Sequence, residues 1–173
     1  LLSGDPPSIA SQLIQSDIIK KISITGSVRV GKLILKQAAE KVQRVTMELS
    51  GHSPFIVFDD VDLNKVTDMA IFAKFRNNGQ VCISPSRFYI HESKKNDFTK
   101  LMVEKTKKLK IGNGMEKNTI LGPLTTKKRL EEIEALVETT KKEGATILCG
   151  GKKPAGFNKG YFYEPTIFDN VKD

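Results

Sequence analysis

Lys20-Lys21-Ile22-Ser23-Ile24-Thr25, closed by Gly26-Ser27, and Arg44-Val45-Thr46-Met47-Glu48-Leu49 are the stretches that decide the fold. In both, apolar and polar residues alternate. Ile22 and Ile24 share one face of the first stretch; Val45, Met47 and Leu49 share one face of the second. A period of two is the mark of a strand with one buried face. Between them Val30, Leu33, Ile34 and Ala38 recur at helical spacing, which predicts a helix ending near Glu40. Upstream, a proline start followed by Ile9, Leu13 and Ile14 predicts a helix over 6–16. The order helix, strand, helix, strand favours a parallel pair joined by a crossover, an α/β unit.

Ser50-Gly51-His52-Ser53-Pro54 interrupts this pattern and marks the expected boundary between two domains, 1–49 and 50–173. Beyond it, the continuous apolar run Phe55–Phe58 predicts a strand buried on both faces. Asp59, Asp60 and Asp62 then suit the N-terminus of a helix that uses Leu63, Val66, Ala70 and Ala73 and stops near Asn77-Asn78-Gly79. Further strands are expected at 87–91, 145–149 and 161–168, and further helices at 94–108 and 126–142. The second of these helices would bury Leu130, Ile133 and Val137. Residues 110–125 and 150–160 read as loops.

The composition bounds the possibilities. With 173 residues, 39% of them apolar and 28% charged, and a mean hydropathy of −0.28, the chain can bury a core of its own and lacks the bias of a disordered segment. No apolar run approaches a membrane span, and nothing in Leu1-Leu2-Ser3-Gly4-Asp5 resembles a secretory leader. Cys82 and Cys149 form neither a disulfide framework nor, with His52 and His91, a metal-ligand pattern, so no metal and a reducing cytoplasmic setting are expected. The net charge of +8 comes from 28 basic and 20 acidic residues. Only Arg29, Arg44, Arg76, Arg87 and Arg129 are arginines, and the lysines are dispersed among acids. That balance reads as a solvated surface rather than a nucleic-acid footprint.

Four features carry possible chemistry. Cys82 follows a helix end and the turn Gly79-Gln80-Val81, where a thiol can be exposed and backbone N–H groups left free for a developing oxyanion; a small buried thiol is the alternative. Glu48 sits in an apolar alternating strand, where partial desolvation would suit a general base, or else it faces water. Gly26-Ser27 ends a strand and opens a helix, so amides and the helix dipole can approach a phosphate. The spacing of Gly26 and Gly31 matches neither a dinucleotide fingerprint nor a P-loop, and an ordinary turn remains open. Arg76, six positions before Cys82, could fork onto a carboxylate or simply be solvated.

Taken in order, Ile24-Thr25-Gly26-Ser27 with Val30-Gly31-Lys32, Met47-Glu48-Leu49-Ser50-Gly51-His52-Ser53-Pro54, Lys74-Phe75-Arg76-Asn77-Asn78-Gly79-Gln80-Val81-Cys82, Leu121-Gly122-Pro123-Leu124 and Tyr163-Glu164-Pro165-Thr166 resemble the aldehyde dehydrogenase superfamily. The likeness spans nearly the whole chain. Around Cys82, with Ser84-Pro85-Ser86-Arg87-Phe88, the wording is most similar to the succinate-semialdehyde dehydrogenase branch. The resemblance implies an aldehyde dehydrogenase-like catalytic domain, a parallel-type sheet flanked by helices, preceded by the trailing edge of a Rossmann-like nucleotide-binding domain. It implies oxidation of an aldehyde, such as succinate semialdehyde, with NAD or NADP. Cys82 would be the attacking thiolate and its N–H an oxyanion donor; Glu48 would activate water. Gly26, Ser27, Val30 and Gly31 would line the cofactor, with the Leu49 carbonyl near the nicotinamide, and Arg76 would hold a substrate carboxylate.

The same resemblance marks departures and gaps. Ser50 and His52 stand where the family more often has Gly and Lys, and Ser50 would narrow the approach to the base. The chain has about a third of the family's length, so parts of the cofactor and oxyanion sites would lie outside it. The expected partners are a small aldehyde and further copies of the chain, with no nucleic acid and no membrane. The competing reading is a catalytically silent fragment acting as a structural or interaction domain.

Overall fold

Two compact units, Leu1–Gly51 and His52–Asp173, make up the computed structural model, which describes residues 1–49 and 51–172. Ser50, and with it the expected narrowing beside the base, lies outside the described residues.

The first unit is built as α1 (Pro6–Gln15), β1 (Lys21–Gly26), α2 (Val28–Ala39) and β2 (Arg44–Leu49). Asp5 caps α1: its carboxylate accepts from the Ser8 N–H at 3.0 Å and the Ser8 hydroxyl at 2.6 Å, and Pro6 opens the first turn, where no N–H is needed. Strands β1 and β2 are parallel, with Ile22 opposite Val45, Ile24 opposite Met47 and Gly26 opposite Leu49. The buried face of α2 is Gly31, Ile34 and Ala38. Leu33, expected on that face, is exposed, whereas Gly31 belongs to it. The reason is space. A Cβ on Gly31 would stand 2.8 Å from the Leu49 Cδ2 and 3.2 Å from the Met47 Sδ, so its absence lets α2 settle against β2. The return turn is tied down by Gln43, whose Nε2 donates to the carbonyls of Ile14 (3.0 Å) and Ile19 (2.7 Å).

The second unit runs β3 (Pro54–Val57), α3 (Leu63–Phe75), β4 (Arg87–Ile90), α4 (Lys95–Lys107), α5 (Lys127–Lys142), β5 (Thr146–Cys149) and β6 (Ile167–Asp169). Asp62 caps α3 by accepting from the N–H groups of Asn64 and Lys65. Strands β3 and β4 pair in parallel. Their inner face joins α3 and α4 in a core of Val57, Ala70, Phe75, Phe98, Met102 and Leu121, extended by Phe55, Phe88 and Ile90. Phe88 bridges Phe55 and Phe98 at ring-centroid distances of 5.4 and 6.4 Å.

Three expectations fail here. The run Phe55–Phe58 is not buried on both faces: Ile56 is 60% and Phe58 64% exposed, and Tyr89 on β4 is exposed with them. The helices cover one side of this pair, so alternation governs even an all-apolar run. Secondly, the final strand begins only at Ile167, not at Tyr161. Upstream the chain satisfies its hydrogen bonds outside a ladder. The Glu164 N–H goes to the Lys152 carbonyl, the Tyr161 carbonyl accepts from Leu124, and Pro165 has no N–H to give. Thirdly, Ile133 is only partly buried, while Leu130 and Val137 are buried as expected.

Strands β5 and β6 pair antiparallel, with a register shift between Ile147 and Cys149. Gly150 follows at φ +73°, and a Cβ there would lie 2.2 Å from the Pro165 carbonyl oxygen and 2.8 Å from the Thr166 Oγ1. Backbone cannot yield as a flexible side chain does. Gly150→Ala is therefore expected to destabilise the chain by about 2 kcal/mol or more. Urea unfolding followed by circular dichroism checks this; a midpoint equal to the parent's would refute the close approach.

Candidate active site

The nucleophile candidate sits on a loop that the end of α3 forces into a sharp reversal. Phe75 is anchored in the core, and Arg76 leaves the helix with ψ 140°. Asn77, Asn78 and Gly79 then follow at φ 51°, 57° and 71°. Three successive left-handed residues turn the chain within one short 3-10 segment. Asn is the non-glycine residue that tolerates this region best, because its side chain can hydrogen-bond locally. Asn77 Nδ2 donates to the Gln80 carbonyl at 3.2 Å. At Gly79 a Cβ would be 3.1 Å from the Lys74 carbonyl oxygen, so the helix end itself demands glycine.

Cys82 emerges from this reversal exposed to solvent. It lies within a tight turn in which the Ser84 N–H donates to the Val81 carbonyl at 2.9 Å. Among the described residues its own N–H meets no acceptor. A free thiol with an unengaged amide on the same residue is what attack on a carbonyl requires, because the amide can receive the oxygen's charge. Ser84 Oγ donates back to the Lys74 carbonyl at 3.0 Å and closes the loop onto its helix. Ser86 Oγ lies 3.3 Å from His52 Nδ1.

Three side chains around this loop make contacts that the sequence reading did not foresee. Asn78 donates from Nδ2 to the Pro123 carbonyl at 2.8 Å and accepts at Oδ1 from the Gly122 N–H at 2.9 Å. Gln80 Oε1 accepts from the Thr125 hydroxyl at 3.2 Å. Lys74 is largely buried, and burial, helped by the nearby positive charge of Arg129, holds its ammonium below the usual lysine range. The run Asn77-Asn78-Gly79 was a signal for left-handed backbone. Its partners, more than forty positions later, carried none.

Arg76 is exposed, and its guanidinium carbon stands 5.8 Å from the centroid of the exposed Phe72 ring. The stacked head remains open to an anion. Cys149, by contrast, is half buried beside the Pro165 carbonyl, and desolvation pushes its thiol pKa up. That setting suits a packed structural thiol.

In the first unit Gly26, Ser27, Glu48 and Leu49 gather at one end. Thr25 is opposite Glu48 and Gly26 opposite Leu49, so all four lie at the carboxyl ends of two parallel strands, where α/β sheets place ligands. Ser27 caps α2: its Oγ accepts from the Val30 N–H at 3.3 Å and its carbonyl from the Gly31 N–H at 2.9 Å. No acid lies in the first turn, and Arg29 does. Such an N-terminus suits an anionic group. Gly31 points into the packing of α2 on β2, which makes its contribution structural. Glu48 occupies the exposed positions of β2 with Arg44 and Thr46, away from the face under α2. Of the two readings of Glu48, a partly desolvated base or a carboxylate facing water, its own unit shows the exposed one. Among the described residues no cluster of His, Cys, Asp and Glu could hold a metal, and no helix is long and apolar enough to cross a membrane.

Comparison with known proteins covers the same ground. All of residues 1–173 match the aldehyde dehydrogenase family. A betaine aldehyde dehydrogenase of Brucella anthropi is 41% identical over 167 residues, which are 95% of this chain and 34% of that protein. A chloroplastic aminoaldehyde dehydrogenase of Arabidopsis thaliana is 42% identical over 171 residues, 99% of this chain and 34% of that protein. The chain thus spans about a third of the length of these relatives. Among solved structures, succinate-semialdehyde dehydrogenase from Burkholderia pseudomallei superposes with a TM-score of 0.93 at 38% identity, over 99% of this chain and 35% of that one. Betaine aldehyde dehydrogenase from Staphylococcus aureus, in complex with NAD+, does so with a TM-score of 0.95 at 34% identity, over 99% of this chain and 34% of that one.

The two cysteines differ in a measurable way. At pH 8 iodoacetamide is expected to alkylate Cys82 at least about tenfold faster than Cys149, whose thiol is both shielded and raised in pKa. Peptide mass mapping over time reads both rates, and equal rates would contradict the burial difference.

Proposed function

The chain belongs to the aldehyde dehydrogenase family, and from that premise we propose that it carries the nucleophile and base of an enzyme oxidising a semialdehyde to its carboxylate with NAD+ or NADP+. The carrying observation is Cys82: an exposed thiol, whose N–H meets no acceptor among the described residues, at the end of a backbone reversal. The Cys82 Sγ attacks the aldehyde carbon, and the Cys82 N–H donates to the oxygen as it gains charge. When bound, NAD+ or NADP+ supplies the hydride acceptor for the oxidation. Glu48 takes a proton from the water that hydrolyses the Cys82 thioester, freeing the acid and the thiol.

The cofactor's phosphates suit the α2 N-terminus, where Gly26 and Ser27 form the turn and Arg29 adds positive charge. Val30 would hold the adenine end and the Leu49 carbonyl the nicotinamide, while Gly31 keeps the helix close to the strand. Arg76, open and cationic, would take the far carboxylate of a substrate such as succinate semialdehyde. A betaine aldehyde is the second reading for the substrate, favoured by the 41% identity to the Brucella enzyme; its quaternary ammonium would meet Arg76 with like charge. The domains follow this assignment: 1–49 as the end of the nucleotide-binding domain, 50–173 as the thiol domain, in a cytoplasmic protein. Copies would associate through apolar surface such as Ile56, Phe58 and Phe72.

The test supplies succinate semialdehyde or betaine aldehyde with NAD+ or NADP+ and follows reduced cofactor. Assayed within a full-length enzyme, turnover is expected with the semialdehyde, abolished in Cys82→Ala and lowered about a hundredfold or more in Glu48→Gln. Arg76→Ala is expected to raise KM for the semialdehyde and leave a neutral aldehyde little changed. Turnover surviving in Cys82→Ala would overturn the mechanism. A folded chain with no turnover on either aldehyde would support the silent-domain reading instead.

A further inference from the structure

We infer that Asn78 is a positioning residue for Cys82, acting as a two-pronged clasp that locks the left-handed reversal to the backbone of Gly122–Pro123; the inference rests on the proposed role of Cys82 as nucleophile. The clasp uses the whole carboxamide. Nδ2 donates to the Pro123 carbonyl at 2.8 Å and Oδ1 accepts from the Gly122 N–H at 2.9 Å. Two hydrogen bonds from one planar carboxamide to one backbone segment fix an orientation as well as a distance, which a single bond does not. Asn77 and Gln80 are also engaged, Asn77 by donating to the Gln80 carbonyl and Gln80 by accepting at Oε1 from the Thr125 N–H and hydroxyl, but each holds through one side-chain atom.

The backbone gives the clasp its purpose. The left-handed region is disfavoured for residues other than glycine, and Asn77 and Asn78 stand there in succession. Such a conformation persists only where surrounding bonds over-determine it. Leu121, next to the clasped segment, is buried in the core with Phe75, the residue that anchors the end of α3. The helix end and the loop 121–125 are thus two parts of one rigid base, and Asn78 ties the span between Phe75 and Cys82 to it. With the clasp intact, the Cys82 N–H and thiol keep a fixed relation to the end of α3. Without it, the same residues remain exposed, and the turn that carries Cys82 loses its fixed relation to the end of α3.

The experiment compares the parent chain with Asn78→Gly, which keeps the left-handed backbone but removes both bonds, and Asn78→Ala, which removes the bonds and disfavours the backbone. Folding is checked by circular dichroism, and the iodoacetamide rate at Cys82 is measured across pH 6 to 10. Cys149 in the same molecule serves as internal control. The clasp predicts that both variants fold and that the Cys82 alkylation rate at a fixed pH departs from the parent's by about threefold. The Cys149 profile should stay in place. Folded variants with an unmoved Cys82 profile would overturn the inference. Unfolding of both variants would also overturn it, because Asn78 would then serve the stability of the whole unit. The assay needs neither aldehyde nor cofactor. A failure of the proposed oxidation would therefore appear as absent turnover in the parent, separately from the outcome here.

Discussion

A helix whose last residue is held in a hydrophobic core must turn its chain away at once, and that constraint shapes the thiol-bearing loop. Phe75 closes α3 among Val57, Ala70, Phe98 and Met102. Continuing the helix would have carried Cys82 along its axis. The chain instead leaves at Arg76 and reverses through three left-handed residues, with the Lys74 carbonyl occupied by Ser84 and crowded by Gly79. The Cys82 sulfur is exposed because the residues before it are committed elsewhere, in the core, at the helix end and on the loop 121–125.

The first unit obeys a different constraint. Two parallel strands need a crossover, and the crossover helix must lie close enough to exclude water from between the layers. Gly31 meets that need against Met47 and Leu49. Packing on one face leaves Glu48 on the other, and the strand ends bring it to the same edge as Gly26 and Ser27. A carboxylate and a phosphate-sized turn thus come together from segments about twenty residues apart, through register alone.

Much of this was legible before any coordinates. The alternation at Ile22 and Ile24 and at Val45, Met47 and Leu49 predicted both strands and their buried faces. Asp62 ahead of Leu63 predicted a helix start, and Asn77-Asn78-Gly79 its end. Misreadings fell where local pattern and neighbours disagree. An all-apolar run at Phe55–Phe58 looked buried on both sides, yet helices cover only one. Tyr161–Thr166 had the composition of a strand, but its hydrogen bonds go to Leu124, Lys152 and Gly151, so no ladder forms before Ile167. Leu33 looked like a core residue because hydropathy ignores space, whereas the face of α2 is set by where a glycine permits approach.

What the sequence determined by itself is therefore the set of elements, their caps, the chemistry available at Cys82, Glu48, Arg76 and the Gly26-Ser27 turn, and a resemblance strong enough to name a family. These follow from interactions between residues near one another along the chain, and periodicity and residue type record such interactions directly. Only the tertiary structure decided that Asn78 grips Gly122 and Pro123, that Gly150 must be bare beneath the Pro165 carbonyl, and that Cys149 is shielded while Cys82 is not. Those outcomes depend on segments between about 15 and 45 positions apart meeting within hydrogen-bond or van der Waals distance, and such meetings leave no local trace because packing, not periodicity, brings them about.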